Sequence, residues 1–161
     1  MDRRTVLKVL TASTLRAANQ CGTSSDLAGY QFAFFTADEQ ALVERLMELI
    51  IPADDHSPGA KAARVPAFAD LMISTSSDRV KAAWRSGLAA FAKNPEAALA
   101  QAAAEESAPK SELAHFFIEL KRMTVDGYYT STIGIHDEMG YIGNQHRTAA
   151  PACDHPEHKG S

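Results

Sequence analysis

The residues of this chain equipped for chemistry sit in three places. The C-terminal tail holds Cys153, His155 and His158, with His146 upstream. Thiolate and imidazole are the ligands zinc takes, but C-x-H-x-x-H matches no established structural zinc spacing, so a metal set of His146, Cys153, His155 and His158 is the weaker reading. The thiol is also a disulfide former. Cys153 can pair with Cys21, the other of the two cysteines, join a second chain, or stay free, and sequence supplies no geometry to choose between them. In the second place, Asp54-Asp55-His56 invites an acid–base reading because carboxylate and imidazole exchange protons, and Ser57 follows directly. Adjacent loop side chains usually diverge, however, and Asp and Ser beside Pro58-Gly59 bond to local backbone amides. The turn reading is preferred, and no catalytic residue is assigned. The third place is the group Tyr128, Tyr129, Ile133, Ile135, Met139, Tyr141 and Ile142. Aromatic residues and Met are enriched at interface centres, so the group is a candidate partner surface; the competing reading lays it over the chain's own core. No glycine-rich phosphate loop follows a strand, and neither C-x-x-C-H nor H-E-x-x-H occurs. No cofactor is therefore assigned to this chain.

The elements that must position these groups are helical. Thr36-Ala37-Asp38-Glu39 is a capping-box pattern, followed by Leu42, Leu46, Leu49 and Ile50 at helical spacing and stopped by Pro52. Ala53 to Gly59 reads as a turn-rich loop. Val65, Phe68, Leu71 and Met72 mark a short second helix, and Asp78 caps a third bearing Val80, Trp84, Leu88 and Phe91. Asn94-Pro95-Glu96 restarts a helix with Pro95 at its preferred first position. The alanine run 97–104 that follows favours helix but buries little, which makes the segment peripheral. Pro109 and Ser111 open the last long helix, with Leu113, Phe116, Phe117, Leu120 and Met123 inward. Beyond Thr130 helical periodicity ends, and a long irregular stretch must return over the body or lie on a partner. No strand alternation and no repeat are visible. The expectation is an all-α fold, a small helical domain with a long irregular C-terminal segment.

Charge divides the 161-residue chain unevenly. The formal net charge is −4, yet residues 1–20 carry Arg3, Arg4, Lys8 and Arg16 against Asp2, which is +3. The remainder is −7, an acidic balance that disfavours nucleic acid as a partner. No stretch approaches the roughly 20 apolar residues a membrane span needs. A basic start followed by the apolar stretch 9–15 has the layout of an export signal, and Arg3-Arg4 with Leu7 and Lys8 resembles the twin-arginine type. Residues 1–28 are thus expected to be signal and linker, 29–161 the helical body, and 132–161 its extended tail. Export would place the chain in the periplasm, where disulfides persist. A free-standing periplasmic metal-binding helical protein, using the His-rich tail, is the alternative these residues allow.

Four blocks in order resemble the gluconate 2-dehydrogenase subunit 3 family. They are Phe34-Phe35-Thr36-Ala37-Asp38-Glu39, the run from Ile50 through Pro52 to Ala60, the run from Phe116 through Asp126-Gly127-Tyr128-Tyr129 to Ser131, and Gly134 to Asn144. The tail from Cys153 to His158 is similar to the family's ending. The resemblance implies an accessory subunit without catalytic chemistry of its own, belonging to an acceptor-linked, FAD-dependent dehydrogenase. It implies a large partner subunit of the glucose-methanol-choline oxidoreductase type that carries FAD, and a multihaem cytochrome c subunit that carries haem c. It implies further that the small subunit lends its twin-arginine signal to the large one and assists its maturation. The group from Tyr128 to Ile142 then becomes the partner interface, and Cys153 an intersubunit disulfide candidate.

Overall fold

The structure, a computed structural model, describes Leu27 and residues 29–144. Six α-helices follow one another: α1 Ala37–Ile50, α2 Gly59–Ala62, α3 Val65–Ser74, α4 Asp78–Phe91, α5 Pro95–Ala104 and α6 Glu112–Tyr129. A π-helical turn, Ile133–Glu138, comes last, and no strand forms among the described residues. The all-α expectation holds.

Three of the helices, α1, α5 and α6, begin where a side chain accepts from the first free amides. Thr36 and Glu39 close a reciprocal capping box on α1: the Glu39 amide donates to the Thr36 hydroxyl at 3.4 Å, and the Thr36 amide donates to the Glu39 carboxylate at 2.9 Å. Arg85 of α4 pairs with the same carboxylate, lies 4.4 Å over the Phe34 ring and donates to the Phe34 carbonyl at 2.7 Å, tying the cap to the next layer. Asn94 caps α5 ahead of Pro95, and Ser111 caps α6. At α4 the residue in the cap position is Ser77, whose side chain makes no capping bond; Asp78 is already helical and meets the positive end of the helix from within its first turn.

The core forms where the apolar stripes face α6. Val43, Leu46 and Met47 of α1, Trp84, Leu88 and Phe91 of α4, and Phe116, Phe117 and Leu120 of α6 are buried. Trp84 meets Phe35 and Phe116 at ring-centroid distances of 6.1 and 5.2 Å, the second edge-on. As expected, α5 is peripheral: only Ala102 is buried, with Ala98 and Leu99 laid partly on the core.

Two stripes turn differently from their predicted faces. Leu49 points outward on α1, because the buried set 43, 46, 47 leaves position 49 past the edge of the stripe. On α3 the inward residues are Val65, Ala69, Asp70 and Ile73, whereas Leu71 and Met72 are exposed and Phe68 is half-buried. The cause is Asp70. Its fully buried carboxylate accepts the Tyr30 hydroxyl at 2.7 Å and the amides of Ala33, Phe34 and Phe35 at 2.7, 3.0 and 2.7 Å. Four donors satisfy a group that could not otherwise be buried. They clasp the segment before α1 onto the bundle and set the rotation of α3.

Candidate partner-docking surface

The site is built on the C-terminal end of α6 and the segment that continues from it. Leu120, Thr124 and Tyr128 form one inward row at four-residue spacing, all fully buried. The next residue, Tyr129, falls on the outer face and is 40% exposed. The helix closes at Thr130, whose amide reaches the Asp126 carbonyl, and Ser131 donates from both its amide and its hydroxyl to the Tyr128 carbonyl. The chain then winds into the π-helical turn, with the Met139 amide bonded to the Gly134 carbonyl at 3.1 Å. Gly134 makes this return possible: a Cβ there would lie 2.2 Å from the Tyr128 carbonyl oxygen and 2.8 Å from the Tyr129 Cα. Only a residue without a side chain lets the turn press back on the helix end.

Two side chains hold the turn in place. Glu138 accepts the Tyr128 hydroxyl at 2.5 Å and the Tyr129 hydroxyl at 3.2 Å. Burial, followed by the hydrogen bond to Glu138, pushes the Tyr128 phenol above its ordinary range, with the Ser57 contact acting in the opposite sense. At Tyr129 the charge of Glu138 is the leading cause of a rise in the same direction. On the far side, His136 Nδ1 lies 2.7 Å from the Tyr141 carbonyl, and the Tyr141 amide donates to the Ile135 carbonyl at 2.9 Å. These bonds fold Met139 to Asn144 into a bend, and Met139, Tyr141 and Ile142 are left 53%, 47% and 75% exposed. Together with Ile135 they line an open concavity of about 640 Å³.

The predicted interface group therefore divides. Tyr129, Met139, Tyr141 and Ile142 lie at the surface and Ile135 is half-buried. Tyr128 and Ile133 are placed apart from them: Tyr128 is fully buried and Ile133 packs partly against the core. The register from Leu120 through Thr124 carried that signal for Tyr128. The reading of residues 132–161 as irregular is corrected over Ile133–Glu138, where a helical turn forms without apolar periodicity because hydrogen bonds rather than a stripe hold it. Glu138, Gly134 and Ser57 are the positioning residues that sequence reasoning missed; nothing in residue type or spacing marked Glu138 as the partner of two tyrosines.

The Asp54–Ser57 loop behaves as a turn. The Asp54 carboxylate accepts the His56 and Ser57 amides at 2.8 and 2.7 Å, and those bonds hold it below the ordinary carboxylate range. Across the loop, Glu48 accepts the amides of Ala53 and Lys61. Arg3, Arg4, Leu7, Lys8 and Cys21 lie outside the described residues, as do His146, Cys153, His155 and His158. Among the described residues no group of three His, Cys, Asp or Glu side chains is placed to hold a metal ion. No helix among them is long and apolar enough to cross a membrane.

The family model for gluconate 2-dehydrogenase subunit 3 matches this chain over residues 37–100 and 92–145. The matched residues take in all six helices, the π-helical turn and the exposed apolar bend. No curated protein and no solved structure matches the chain. The chain belongs to the gluconate 2-dehydrogenase subunit 3 family, and so to the subunits of a dehydrogenase complex.

Proposed function

We propose that this chain is the small, non-catalytic subunit of a membrane-associated, FAD-dependent sugar or alcohol dehydrogenase, and that it takes the large catalytic subunit through twin-arginine export into the periplasm and assists its maturation. The observation that carries this reading is the family match running through an apolar bend that the helical body does not need for its own core. Met139, Tyr141 and Ile142 stand out from a bundle whose interior is already filled by α1, α3, α4 and α6. Clustered exposed apolar groups of this kind serve contact with another molecule. The large subunit, of the glucose-methanol-choline oxidoreductase type, would hold FAD and carry out the oxidation. A multihaem cytochrome c subunit would pass the electrons on. This chain contributes the docking surface and, through Arg3, Arg4, Leu7 and Lys8, the address.

Cys153 has a role in the same assembly as an intersubunit staple. A covalent link keeps two chains together at concentrations where a modest interface would let them part. Export is tested by co-expressing the large flavoprotein with the Arg3→Lys, Arg4→Lys variant. Periplasmic dehydrogenase activity should fall to background while the complex accumulates in the cytoplasm; undiminished periplasmic activity rejects the export role. On a non-reducing gel the intersubunit band should vanish in Cys153→Ser, and a persisting band assigns the bond elsewhere.

A further inference from the structure

The loop between α1 and α2 and the docking bend lie far apart in sequence, yet one chain of hydrogen bonds joins them. The Gly59 amide donates to the Ser57 hydroxyl at 3.3 Å, Ser57 Oγ lies 2.7 Å from the Tyr128 hydroxyl, and the Tyr128 hydroxyl donates to Glu138 at 2.5 Å. A carboxylate only accepts and a phenol has one proton, so with Tyr128 committed to Glu138 it is Ser57 that donates to Tyr128. Every link then points the same way, from the loop backbone to the carboxylate. Chains ordered in this sense strengthen one another, the more so when the middle member is fully buried, as Tyr128 is. The loop end is itself stiff, because Asp54 ties down the His56 and Ser57 amides and the Asp54 amide bonds the Ser57 carbonyl at 2.7 Å.

We propose that Ser57, Tyr128 and Glu138 are positioning residues for partner docking, a relay through which the α1–α2 loop sets the π-helical turn and the exposed bend before the partner arrives. This rests on the accessory-subunit reading and adds to it the device that orders the docking surface. The turn returns on the helix end by few backbone bonds, and Glu138 is the side chain of the turn that grips α6 from two tyrosines. A surface ordered in advance loses less entropy on binding, so the relay contributes affinity without touching the partner.

Hydrogen exchange on the purified full chain tests the relay directly. Ser57→Ala removes a hydroxyl remote in sequence from the turn, and exchange of the Ile135 and Met139 amides should quicken by about five- to tenfold, the equilibrium weight of one net hydrogen bond. Tyr128→Phe should do the same, and Ser57→Thr, which keeps the hydroxyl, should restore wild-type protection. Unchanged exchange at Ile135 and Met139 in both Ser57→Ala and Tyr128→Phe overturns the relay, whatever becomes of partner binding. Capture of the co-expressed large flavoprotein supplies the second readout: Ser57→Ala should weaken it and Ser57→Thr should not. Exchange that responds while the wild-type chain captures no flavoprotein overturns the accessory-subunit reading and, with it, the docking role of the relay.

Discussion

Asp70 is a buried carboxylate that forms no ion pair among the described residues, and its four donors decide what replacing it does. Asparagine matches its shape but keeps one acceptor oxygen and turns an NH2 toward backbone amides or the Tyr30 hydroxyl that also donate. At least one amide of the segment 33–35 is then left unpaired inside the protein. Asp70→Asn should cost about 2–4 kcal/mol in urea unfolding, the scale of charged hydrogen bonds lost together with a buried donor left unmet. The same variant should raise the emission wavelength of Trp84, the chain's one tryptophan, whose ring leans on Phe35 of the clasped segment. Tyr128 makes a pH prediction of definite sign. Its phenol titrates higher folded than unfolded, chiefly through burial and then through Glu138, so above about pH 10 the unfolded chain holds fewer protons than the folded one. Its contribution is fully present below that pH and is lost as pH rises through the folded value. Urea midpoints measured from pH 8 to 11 should therefore fall more steeply for the wild type than for Tyr128→Phe; parallel curves would remove Tyr128 as the cause.

At the scale of elements, close packing between α4 and α6 depends on Gly87, where a Cβ would stand 2.2 Å from the Phe116 ring. Alanine gains about 1 kcal/mol of helix propensity at an interior position, but displacing an aromatic ring in a filled core costs about 1–3 kcal/mol. The second effect wins because Phe116 also packs edge-on against Trp84 and has Phe91 5.8 Å away on another side. Gly87→Ala should lower stability by up to about 2 kcal/mol in thermal or urea melts, with α4 still helical by circular dichroism. Helix starts and stops were legible in the sequence because they rest on neighbours: Thr36 with Glu39, Asn94 with Pro95, Ser111 before Leu113. Faces were legible where apolar spacing was unopposed, as on α4. They were not legible on α3, because a polar residue normally assigned to solvent took the inward position once four donors from a distant segment surrounded it. The docking site was half legible for a related reason. Residue type marked Met139, Tyr141 and Ile142 as a group in need of a surface, whereas their exposure and the turn that presents them, with Gly134, Ser57 and Glu138, rest on contacts that only the folded chain brings together.

For the whole molecule, stability and docking should be separable, because the core and the exposed bend share almost no side chains. The core is built mainly from α1, α3, α4 and α6, with Tyr128 within it and Ile133 packed partly against it, and Met139 and Ile142 are exposed outside it. Replacing both with Glu removes apolar surface that the isolated chain leaves in water. It should therefore change folding stability by no more than about 0.5 kcal/mol, as substitutions at open surface do. In a complex the same carboxylates would be buried against a surface shaped for methionine and isoleucine, with nothing to pair them, and interface anchors of this type cost about 2 kcal/mol or more each when lost. Met139→Glu, Ile142→Glu should thus melt like the wild type yet fail to co-purify with the large flavoprotein. The two measurements together decide what the bend is for. A variant that melts normally and still carries the flavoprotein places the interface elsewhere on the molecule, and one that melts early returns Met139 and Ile142 to the fold. Normal melting with lost capture is the outcome expected if the exposed bend serves the proposed partner and not the fold.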